Sequence, residues 1–338
     1  MGPGWRVLVA DQKLDVVAIG NAIVDVLART EEAFLSEQGL IKGSMALIDA
    51  ARAELLYGLL GPAVECSGGS AGNTMAGLAS LGAKGAYIGK VADDQLGRVF
   101  AHDLRASGVR FETPPLKNDA PTARCFILVT PDGQRTMNTY LGACVALGPG
   151  DVEPELIAAA KVVYLEGYLW DRPAAKQAFL KAAKLAHAGG GKVALSLSDP
   201  FCVDRHRAEF RDLVEHHVDI LFANEQEILS LYQVKSFNQA LAIVREQCET
   251  AALTRSAQGS VVLHQGESHA VDAARVDKVL DTTGAGDQYA AGFLRGYTTG
   301  REPKVCGQMG SIAAAEVIQH FGARPETGLA QLVETQLA

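Results

Sequence analysis

The segment with the strongest chemical signal is the glycine-rich run of residues 281–287, which reads Asp-Thr-Thr-Gly-Ala-Gly-Asp. It lies between a strand-like stretch, Val276 to Leu280, and an apolar helical run that starts near Gln288. A glycine turn that opens a helix leaves several backbone N–H groups unpaired beside the positive end of the helix dipole. This geometry predicts a site for a phosphoryl group in transfer, where Asp287 can accept a proton from the attacking hydroxyl. The alternative is an aspartate-capped helix after a tight turn, and spacing alone does not choose between the two.

A second glycine-rich run, Ser-Gly-Gly-Ser-Ala-Gly-Asn at residues 67–73, comes just before a helical run from Thr74 to Leu81. Glycines allow a ligand to approach the backbone closely, and the Asn73 side chain can donate and accept hydrogen bonds at once. Both properties suit the hydroxyl groups of a sugar. The alternative is a flexible loop before a capped helix, and this run by itself is a weak signal.

Neither run matches the fingerprints that nucleotide-binding glycine loops most often carry. No G-x-x-x-x-G-K-[ST] sequence occurs, because the Gly-Lys pair at 89–90 is followed by Val91 and lacks the earlier glycine. The run at 284–286 does not complete G-x-G-x-x-G, since Tyr289 stands where the last glycine belongs. A nicotinamide-dependent dehydrogenase is therefore poorly supported.

The elements that must position these runs alternate between strand and helix in the second half of the chain. Short apolar stretches at 162–165, 193–197 and 219–223 suit buried parallel strands. Helical spacing follows at Pro173 to His187 and at Phe210 to His217, and Ser236 is placed to cap a further helix. This alternation predicts an α/β fold, a doubly wound and mainly parallel sheet flanked by helices.

Two β-rich regions, residues 22–49 and 112–142, depart from this alternation. The second holds strand-like stretches at 122–130 and 136–140, joined by the turn signal Pro-Asp-Gly at 131–133. We predict that the two regions pair into a small β-sheet lid over a pocket at the edge of the main sheet. The predicted domains are a large α/β catalytic domain of residues 14–21, 50–111 and 143–335, and a lid of residues 22–49 and 112–142.

Composition narrows the class of protein further. Hydrophobic residues make up 48% of the 338 residues, which is enough to form a globular core. The formal net charge is −8, which disfavours non-specific nucleic-acid binding. No apolar run approaches the roughly 20 residues of a membrane helix. The six cysteines are scattered without a CxxC pair, which favours reduced thiols. We therefore expect a cytoplasmic protein with no membrane or nucleic-acid partner.

The two glycine runs, in this order and far apart in the chain, resemble the paired signatures of the ribokinase (PfkB) family of carbohydrate and nucleoside kinases. Between them, the segment from Asn224 to Glu227 resembles the family's Asn-x-x-Glu element, which organises magnesium and phosphate. Residues 254–259 resemble the family's nucleotide loop, with Ser256 where many members have glycine. The resemblance extends from Asp15 to Pro325 and implies the ribokinase-like fold.

Within this family, the Gly-Asn-Ala-Ile-Val-Asp sequence at residues 20–25 is more similar to the opening of adenosine kinases than to that of ribokinases. Asp25 matches the family aspartate that binds adjacent sugar hydroxyls, a task for which one carboxylate accepting two hydrogen bonds is well suited. The segments 121–125 and 197–201 resemble the same enzymes. Arg135 follows the hairpin turn where such enzymes carry a lid arginine that approaches the phosphates; the alternative is a solvated hairpin arginine.

The resemblance implies ATP- and Mg²⁺-dependent phosphorylation of the 5′-hydroxyl of a ribonucleoside, with adenosine converted to AMP as the first expectation. The implied catalytic residues are Asp287 as base and the loop of Gly284, Ala285 and Gly286. The implied substrate residues are Asp25, Asn21, Gly68, Gly69, Asn73 and Arg135. The implied nucleotide residues are Asn224, Glu227, Thr254, Ser256, Gly259 and Thr283, with Glu227 holding Mg²⁺ through water and a potassium site near Asp281 and Thr283.

Two alternatives to a nucleoside kinase stay open at this stage. A sugar kinase of the same family, acting on ribose, fructose or a related sugar, would share every catalytic residue and differ only in the pocket for the base. A non-catalytic binding protein on this fold is disfavoured, because such a protein need not keep Asp287, Asn224 and Glu227. The expected partner is a small nucleoside or sugar, and the chain is expected to be a monomer or a homodimer.

Overall fold

The structure, a computed structural model, describes residues 14–338. Its strands are β1 (Leu14–Ile19), β2 (Ile23–Arg29), β3 (Met45–Leu47), β4 (Ala63–Ser67), β5 (Gly85–Ile88), β6 (Arg110–Phe111), β7 (Ala123–Val129), β8 (Arg135–Tyr140), β9 (Ala160–Glu166), β10 (Lys192–Ser196), β11 (Ile220–Asn224), β12 (Thr250–Thr254), β13 (Ser260–His264) and β14 (Glu267–Val271). Its helices are α1 (Glu32–Glu37), α2 (Ala50–Leu59), α3 (Ser70–Ser80), α4 (Gln95–Ala106), α5 (Pro154–Ala158), α6 (Pro173–Ala188), α7 (Pro200–His216), α8 (Glu225–Tyr232), α9 (Phe237–Gln247), α10 (Ala285–Thr298), α11 (Pro303–Val317) and α12 (Leu329–Leu337).

The larger sheet has the strand order β14-β13-β12-β11-β10-β9-β1-β5-β6. From β6 to β12 all neighbours are parallel, and only β13 and β14 join as antiparallel strands. The predicted α/β fold class, a mainly parallel sheet with helices and a second smaller sheet, is confirmed. Since ligand sites of open α/β sheets lie beyond the carboxyl ends of the strands, this edge is where a site is expected.

Both faces of the larger sheet are buried, which explains why its central strands are apolar at successive positions. In β1, Val17 and Ile19 pack into one hydrophobic cluster while Val16 and Ala18 pack into the other. Successive side chains of a strand point to opposite faces, so a strand covered on both sides is apolar along its middle and carries polar residues near its ends. The doubly wound arrangement thus follows directly from these continuous apolar runs.

Two predicted helices begin earlier than their apolar spacing indicated. The helix expected from Phe210 starts at Pro200, because Asp199 accepts a hydrogen bond of 2.6 Å from the N–H of Cys202 and caps it. The helix expected from Thr74 starts at Ser70, after Gly69 at a φ of +80°. Asn73 therefore lies inside the first turn of α3 instead of in the loop before it.

The smaller sheet has the order β3-β8-β7-β2-β4. Its hairpin between β7 and β8 turns at 131–133 as predicted, with the N–H of Gly133 bonded to the carbonyl of Thr130 at 2.8 Å. One face packs on α2, where Val26 and Phe126 join Ala53 and Leu56 in a buried cluster. The other face turns towards the larger sheet.

The structure differs from the predicted domain boundary at residue 50. Residues 50–67 fall within the predicted large domain, but β4 pairs antiparallel with β2 and α2 covers the smaller sheet. An exposed apolar sheet face needs a cover, and α2 supplies it from the nearest stretch of chain. We therefore place α2 and β4 in the lid and propose the other predicted domain boundaries unchanged.

The strand expected at 276–280 is absent, because residues 272–280 of the described chain form no strand. The backbone N–H groups of Leu280 and Asp281 both donate to the carbonyl of Ile318, at 2.8 and 3.3 Å. These two residues are therefore bonded to the end of α11, and the chain leads into the glycine-rich run as a loop and not as a strand of the sheet. Among residues 14–338, no helix combines the length and apolar character that a membrane span requires.

Candidate active site

A cavity of about 640 Å³ lies between the carboxyl ends of the larger sheet and the inner face of the smaller one. Its volume falls within the range of about 300–1,000 Å³ that is usual for small-molecule sites. The predicted site residues that line it are Asn21, Asp25, Gly69, Asn73, Asn224, Glu227, Thr254, Thr283, Gly284, Gly286 and Asp287. The fold thus gathers at one place residues from both ends of the chain.

Gly284 makes the sharp turn that starts α10. Its φ of +78° is left-handed, and a Cβ atom there would lie 2.7 Å from Ala323, so glycine is required on two grounds. Of the four backbone N–H groups from Thr283 to Gly286, two have protein partners: Thr283 N–H donates to Asp281 and Ala285 N–H donates to the Thr282 carbonyl. The N–H groups of Gly284 and Gly286 are the donors that this loop leaves for an anion.

Asp287 lies in the first turn of α10, as predicted, and contacts α3. Ser70 Oγ donates to its Oδ1 at 2.6 Å, and Asn73 Nδ2 donates to its Oδ2 at 3.1 Å. Burial raises the pKa of Asp287 to about 6, and these two hydrogen bonds oppose the rise. Asn73, predicted to hold the sugar, thus orients Asp287 with its amide nitrogen.

The carboxylate of Asp25 faces the cavity from β2, with Gly68 packed against it. A Cβ atom at Gly68 would lie 2.2 Å from Oδ2 of Asp25, so only glycine leaves room for this carboxylate. Burial raises the pKa of Asp25 to about 7, while the positive charges of Arg324 and Arg135 oppose the rise. No group within residues 14–338 donates a hydrogen bond to this carboxylate, so it remains available as an acceptor for a ligand.

Glu166, at the end of β9, is a site residue that the sequence analysis did not identify. Its Oε1 accepts hydrogen bonds from the Asn21 backbone and side chain, at 3.3 and 2.8 Å, and its Oε2 accepts one from the N–H of Ala71 at 2.9 Å. Burial raises its pKa to about 7. A glutamate that ends a buried parallel strand was the signal that could have revealed it.

Arg324, in the loop after α11, is a second site residue that the sequence analysis did not identify. Its Nε and Nη2 atoms are buried and have no hydrogen-bond partner within residues 14–338. Burial lowers its pKa, and the neighbouring Cys66 thiol and the carboxylates of Asp25 and Asp103 oppose that change. The buried positive charge of Arg324 next to Asp25 favours the ionised form of that carboxylate. The residues next to Arg324 in the sequence give no indication that it lies in the site.

Asn224 and Glu227 form a capping box at the start of α8. The N–H of Glu227 donates to Asn224 Oδ1 at 2.9 Å, while the N–H and Nδ2 of Asn224 donate to Glu227 at 2.9 and 2.6 Å. Burial raises the pKa of Glu227 to about 7, and the charge of Asp199 adds to the rise. These hydrogen bonds leave lone pairs on both carboxylate oxygens, which can accept hydrogen bonds from the water shell of a cation.

The nucleotide loop lies at the end of β12. Thr254 lines the cavity, whereas Ser256 and Gly259 lie in the short 3₁₀ turn beside it. Ser256 has a φ of +53°, a conformation that glycine adopts without cost. The departure from glycine at this position is therefore accommodated by backbone strain at one residue.

Arg135 reaches from the first residue of β8 to the glycine-rich loop. Its Nη1 donates to Thr283 Oγ1 at 2.7 Å, and its Nη2 forms an ion pair with Asp281. Its guanidinium also lies 5.9 Å from the centroid of the Phe321 ring. The alternative of a solvated hairpin arginine is excluded, since this side chain is 10% exposed.

Residues 45–327 match the model of the pfkB family carbohydrate kinases, and the chain belongs to that family. It is accordingly a phosphotransferase with an alcohol group as acceptor. ATP as the phosphoryl donor, together with Mg²⁺, is implied by membership of this family.

Proteins named adenosine kinase and proteins named sugar kinase are both similar to this chain. The chain is similar to the solved structure of adenosine kinase from Sinorhizobium meliloti, at 56% identity and a TM-score of 0.89 over 96% of this chain and 100% of that one. A probable sugar kinase from Rhizobium etli CFN 42 is 54% identical, with a TM-score of 0.90 over 96% and 99% of the two chains. Adenosine kinase from Saccharomyces cerevisiae is 25% identical over 332 residues, which cover 91% of this chain and 95% of that protein.

Proposed function

We propose that this chain transfers the γ-phosphoryl group of ATP to the 5′-hydroxyl of adenosine and releases AMP and ADP. The observation that carries the choice of a nucleoside is the apolar wall of the cavity beyond Asp25. This wall is formed by Ile23, Met45, Leu47, Ile127 and Met137 of the smaller sheet and by Phe201 of α7.

An apolar wall can bind a nucleobase favourably, whereas it binds a free sugar poorly. A sugar carries hydroxyl groups on all sides, and burying them against methionine and leucine side chains leaves hydrogen bonds unmade. A purine ring instead stacks favourably on aromatic and aliphatic side chains. Phe201 lines the cavity with 75% of its surface exposed, which is unusual for so large an apolar side chain and leaves its ring free to stack.

The sugar is held by Asp25 in this proposal. Its free carboxylate oxygens accept hydrogen bonds from the two adjacent ribose hydroxyls, and Arg324 behind it favours the ionised form. Gly68 and Gly69 allow the sugar to approach the backbone before α3. Asn21, which Glu166 holds in place, lines the same end of the cavity.

Phosphoryl transfer requires alignment, neutralisation of charge and an acceptor for the proton of the attacking hydroxyl. Asp287 accepts that proton, since its carboxylate is held by two donors and lines the cavity. The N–H groups of Gly284 and Gly286 donate to the oxygens of the transferred group, on which charge develops. The two helix N-termini that meet here, those of α3 and α10, add positive potential.

The nucleotide end of the cavity fits a hydrated Mg²⁺ ion that arrives with ATP. Magnesium keeps much of its water shell and neutralises phosphate oxygens. Glu227 and Asn224 would hold it through that shell, since the Glu227 carboxylate is buried, retains free lone pairs and lies near Asp199. Thr254 lines the cavity on the adjacent strand, and the loop with Ser256 and Gly259 follows it.

The second candidate function is a sugar kinase, which the 54% identical probable sugar kinase from Rhizobium etli supports. The test is to incubate the chain with ATP, Mg²⁺ and each of adenosine, ribose and fructose, and to identify the products by mass. We expect AMP and ADP in equal amounts from adenosine and little ADP from either sugar. Formation of ADP and a sugar phosphate from ribose or fructose, with no AMP from adenosine, would instead establish the second candidate.

A further inference from the structure

The contact between Arg135 and Asp281 joins the lid to the loop that binds the phosphoryl group. Both side chains are largely inaccessible, at 10% and 4% exposure, although they come from elements far apart in the chain. Arg135 also donates to the hydroxyl of Thr283, which immediately precedes Gly284. A single guanidinium from the lid therefore touches two residues at the base of the loop.

Asp281 connects the phosphoryl-binding loop to a second loop, which contains Gly322. Its Oδ1 accepts a hydrogen bond from the N–H of Thr283 at 3.0 Å, and its Oδ2 accepts one from the N–H of Gly322, also at 3.0 Å. Gly322 adjoins Ala323, against which the turn at Gly284 packs. The position of the phosphoryl-binding loop thus depends on an Asp281 carboxylate whose negative charge is neutralised by Arg135.

The residues around Asp281 do not fit a potassium ion while Arg135 is in place. A potassium ion there would need the oxygen atoms of Asp281 and Thr283 as ligands. The Thr283 hydroxyl already accepts a hydrogen bond from Arg135, and Oδ2 of Asp281 forms an ion pair with the same guanidinium. An ion at this position would also lie against the guanidinium, which has the same charge.

We propose that Arg135 takes, in this chain, the place where the family resemblance implies a potassium ion, and that it neutralises Asp281 and orders the loop from Thr283 to Gly286. Phosphoryl transfer then needs no monovalent metal ion, and the loop is ordered only when the lid is docked. The proposal rests on the phosphotransferase activity of the family but not on which acceptor the chain uses.

The contact is built to persist, because its removal would leave a buried charge without a partner. The Asp281 carboxylate is buried, and a buried carboxylate that loses its counter-ion is strongly destabilising. Replacing Arg135 by methionine keeps most of the volume and removes the guanidinium from Asp281 and from the hydroxyl of Thr283. Such a variant should bind the potassium ion that the wild type excludes.

The experiment compares potassium chloride with tetramethylammonium chloride at the same ionic strength, about 0.1 M, so that screening is equal. Thermal unfolding of the ligand-free protein is measured for the wild type, for Arg135→Met and for Arg110→Met. Arg110 is an exposed arginine paired with Glu112, so its removal controls for the loss of a surface ion pair.

For the wild type, and likewise for Arg110→Met, we expect the unfolding temperature in potassium chloride to equal that in tetramethylammonium chloride. Arg135→Met should unfold at a lower temperature in tetramethylammonium chloride and recover part of that loss in potassium chloride. A potassium-specific stabilisation of the wild type as large as that of Arg135→Met would overturn the proposal. This readout needs no substrate, so it stands even if adenosine proves not to be the acceptor.

A second measurement decides the matter if Arg135→Met does not fold. The kcat/KM of the wild type is measured in the two salts with the acceptor that the product assay identifies. We expect the two values to agree within about twofold. An increase of tenfold or so in potassium chloride would show that the wild type uses the ion, and would refute the proposal without any variant.

Discussion

Ser70 Oγ donates a hydrogen bond of 2.6 Å to Oδ1 of Asp287, and so links the first turns of α3 and α10 across 217 positions of sequence. The neighbouring Gln288 strengthens the link, because its Nε2 donates to the carbonyl of Asn73 at 3.0 Å. The helix that follows the sugar-binding loop therefore holds the proposed base. Placement of the sugar and placement of the base are set by one packed pair of helices.

Asp287→Asn should remove nearly all phosphoryl transfer while the protein stays folded. Asparagine has the same shape as aspartate but cannot accept the proton of the attacking hydroxyl, a loss of at least about 10²–10⁴-fold in rate. The measurement is kcat with the preferred acceptor, alongside circular dichroism of the variant. A folded Asp287→Asn protein with near-normal turnover would show that another group is the base.

Activity should fall as the pH drops through the pKa of Asp287. The residue acts in its ionised form, and burial raises its pKa to about 6, so the active fraction declines below about pH 6. Ser70→Ala removes a hydrogen bond that favours the ionised form and should move this decline to higher pH. A profile of kcat against pH for both proteins tests this, and coincident profiles would contradict it.

Asp25→Ala should act mainly on KM for the acceptor. A carboxylate that accepts hydrogen bonds from two hydroxyls contributes roughly 1.5–3 kcal/mol per bond, so KM should rise at least about tenfold for each bond that is lost. The matching control is 2′-deoxyadenosine, which lacks one of the hydroxyls. If the wild type treats adenosine and the deoxy compound alike, and Asp25→Ala changes neither, Asp25 does not bind these hydroxyls.

Gly68→Ala should reproduce the effect of losing Asp25 without removing any charge. The new methyl group would lie 2.2 Å from Oδ2 of Asp25, so the carboxylate must move away from the sugar and KM should rise about tenfold. Gly58→Ala is the matched control, because Gly58 lies in α2 with nothing within 4 Å of its added carbon. Gly58→Ala should keep normal kinetics, and normal kinetics for Gly68→Ala as well would remove the steric argument.

The sequence predicts best where local chemistry and the fold agree. The central strands are recognisable because both of their faces are buried, and Val162 to Leu165 lies within β9 as expected. The hairpin at 131–133 is recognisable because its turn residues are specific. The two glycine-rich runs stand out since each must turn sharply before a helix.

What the sequence does not reveal is the set of contacts made across the fold. Glu166 bonds Asn21 from a position 145 residues away, and Arg324 approaches Asp25 from the other end of the chain. Glu166 has only the weak local signal of its place at the end of a buried strand, and Arg324 lies in a loop with no local signal. The strand predicted at 276–280 is wrong because valine and leucine also occur in exposed loops: Val279 is 50% exposed and Leu280 is 37% exposed, and the backbone of Leu280 is bonded to the end of α11.

The comparison of adenosine with free ribose as acceptors tests the central claim most directly. Steady-state kcat/KM is measured for both under the same ATP and Mg²⁺ concentrations. A purine on the apolar wall with Phe201 adds binding that ribose lacks, so kcat/KM for adenosine should exceed that for ribose by at least about two orders of magnitude. Equal values, or no turnover of adenosine, would contradict the nucleoside assignment and establish a sugar kinase with the same proposed catalytic residues.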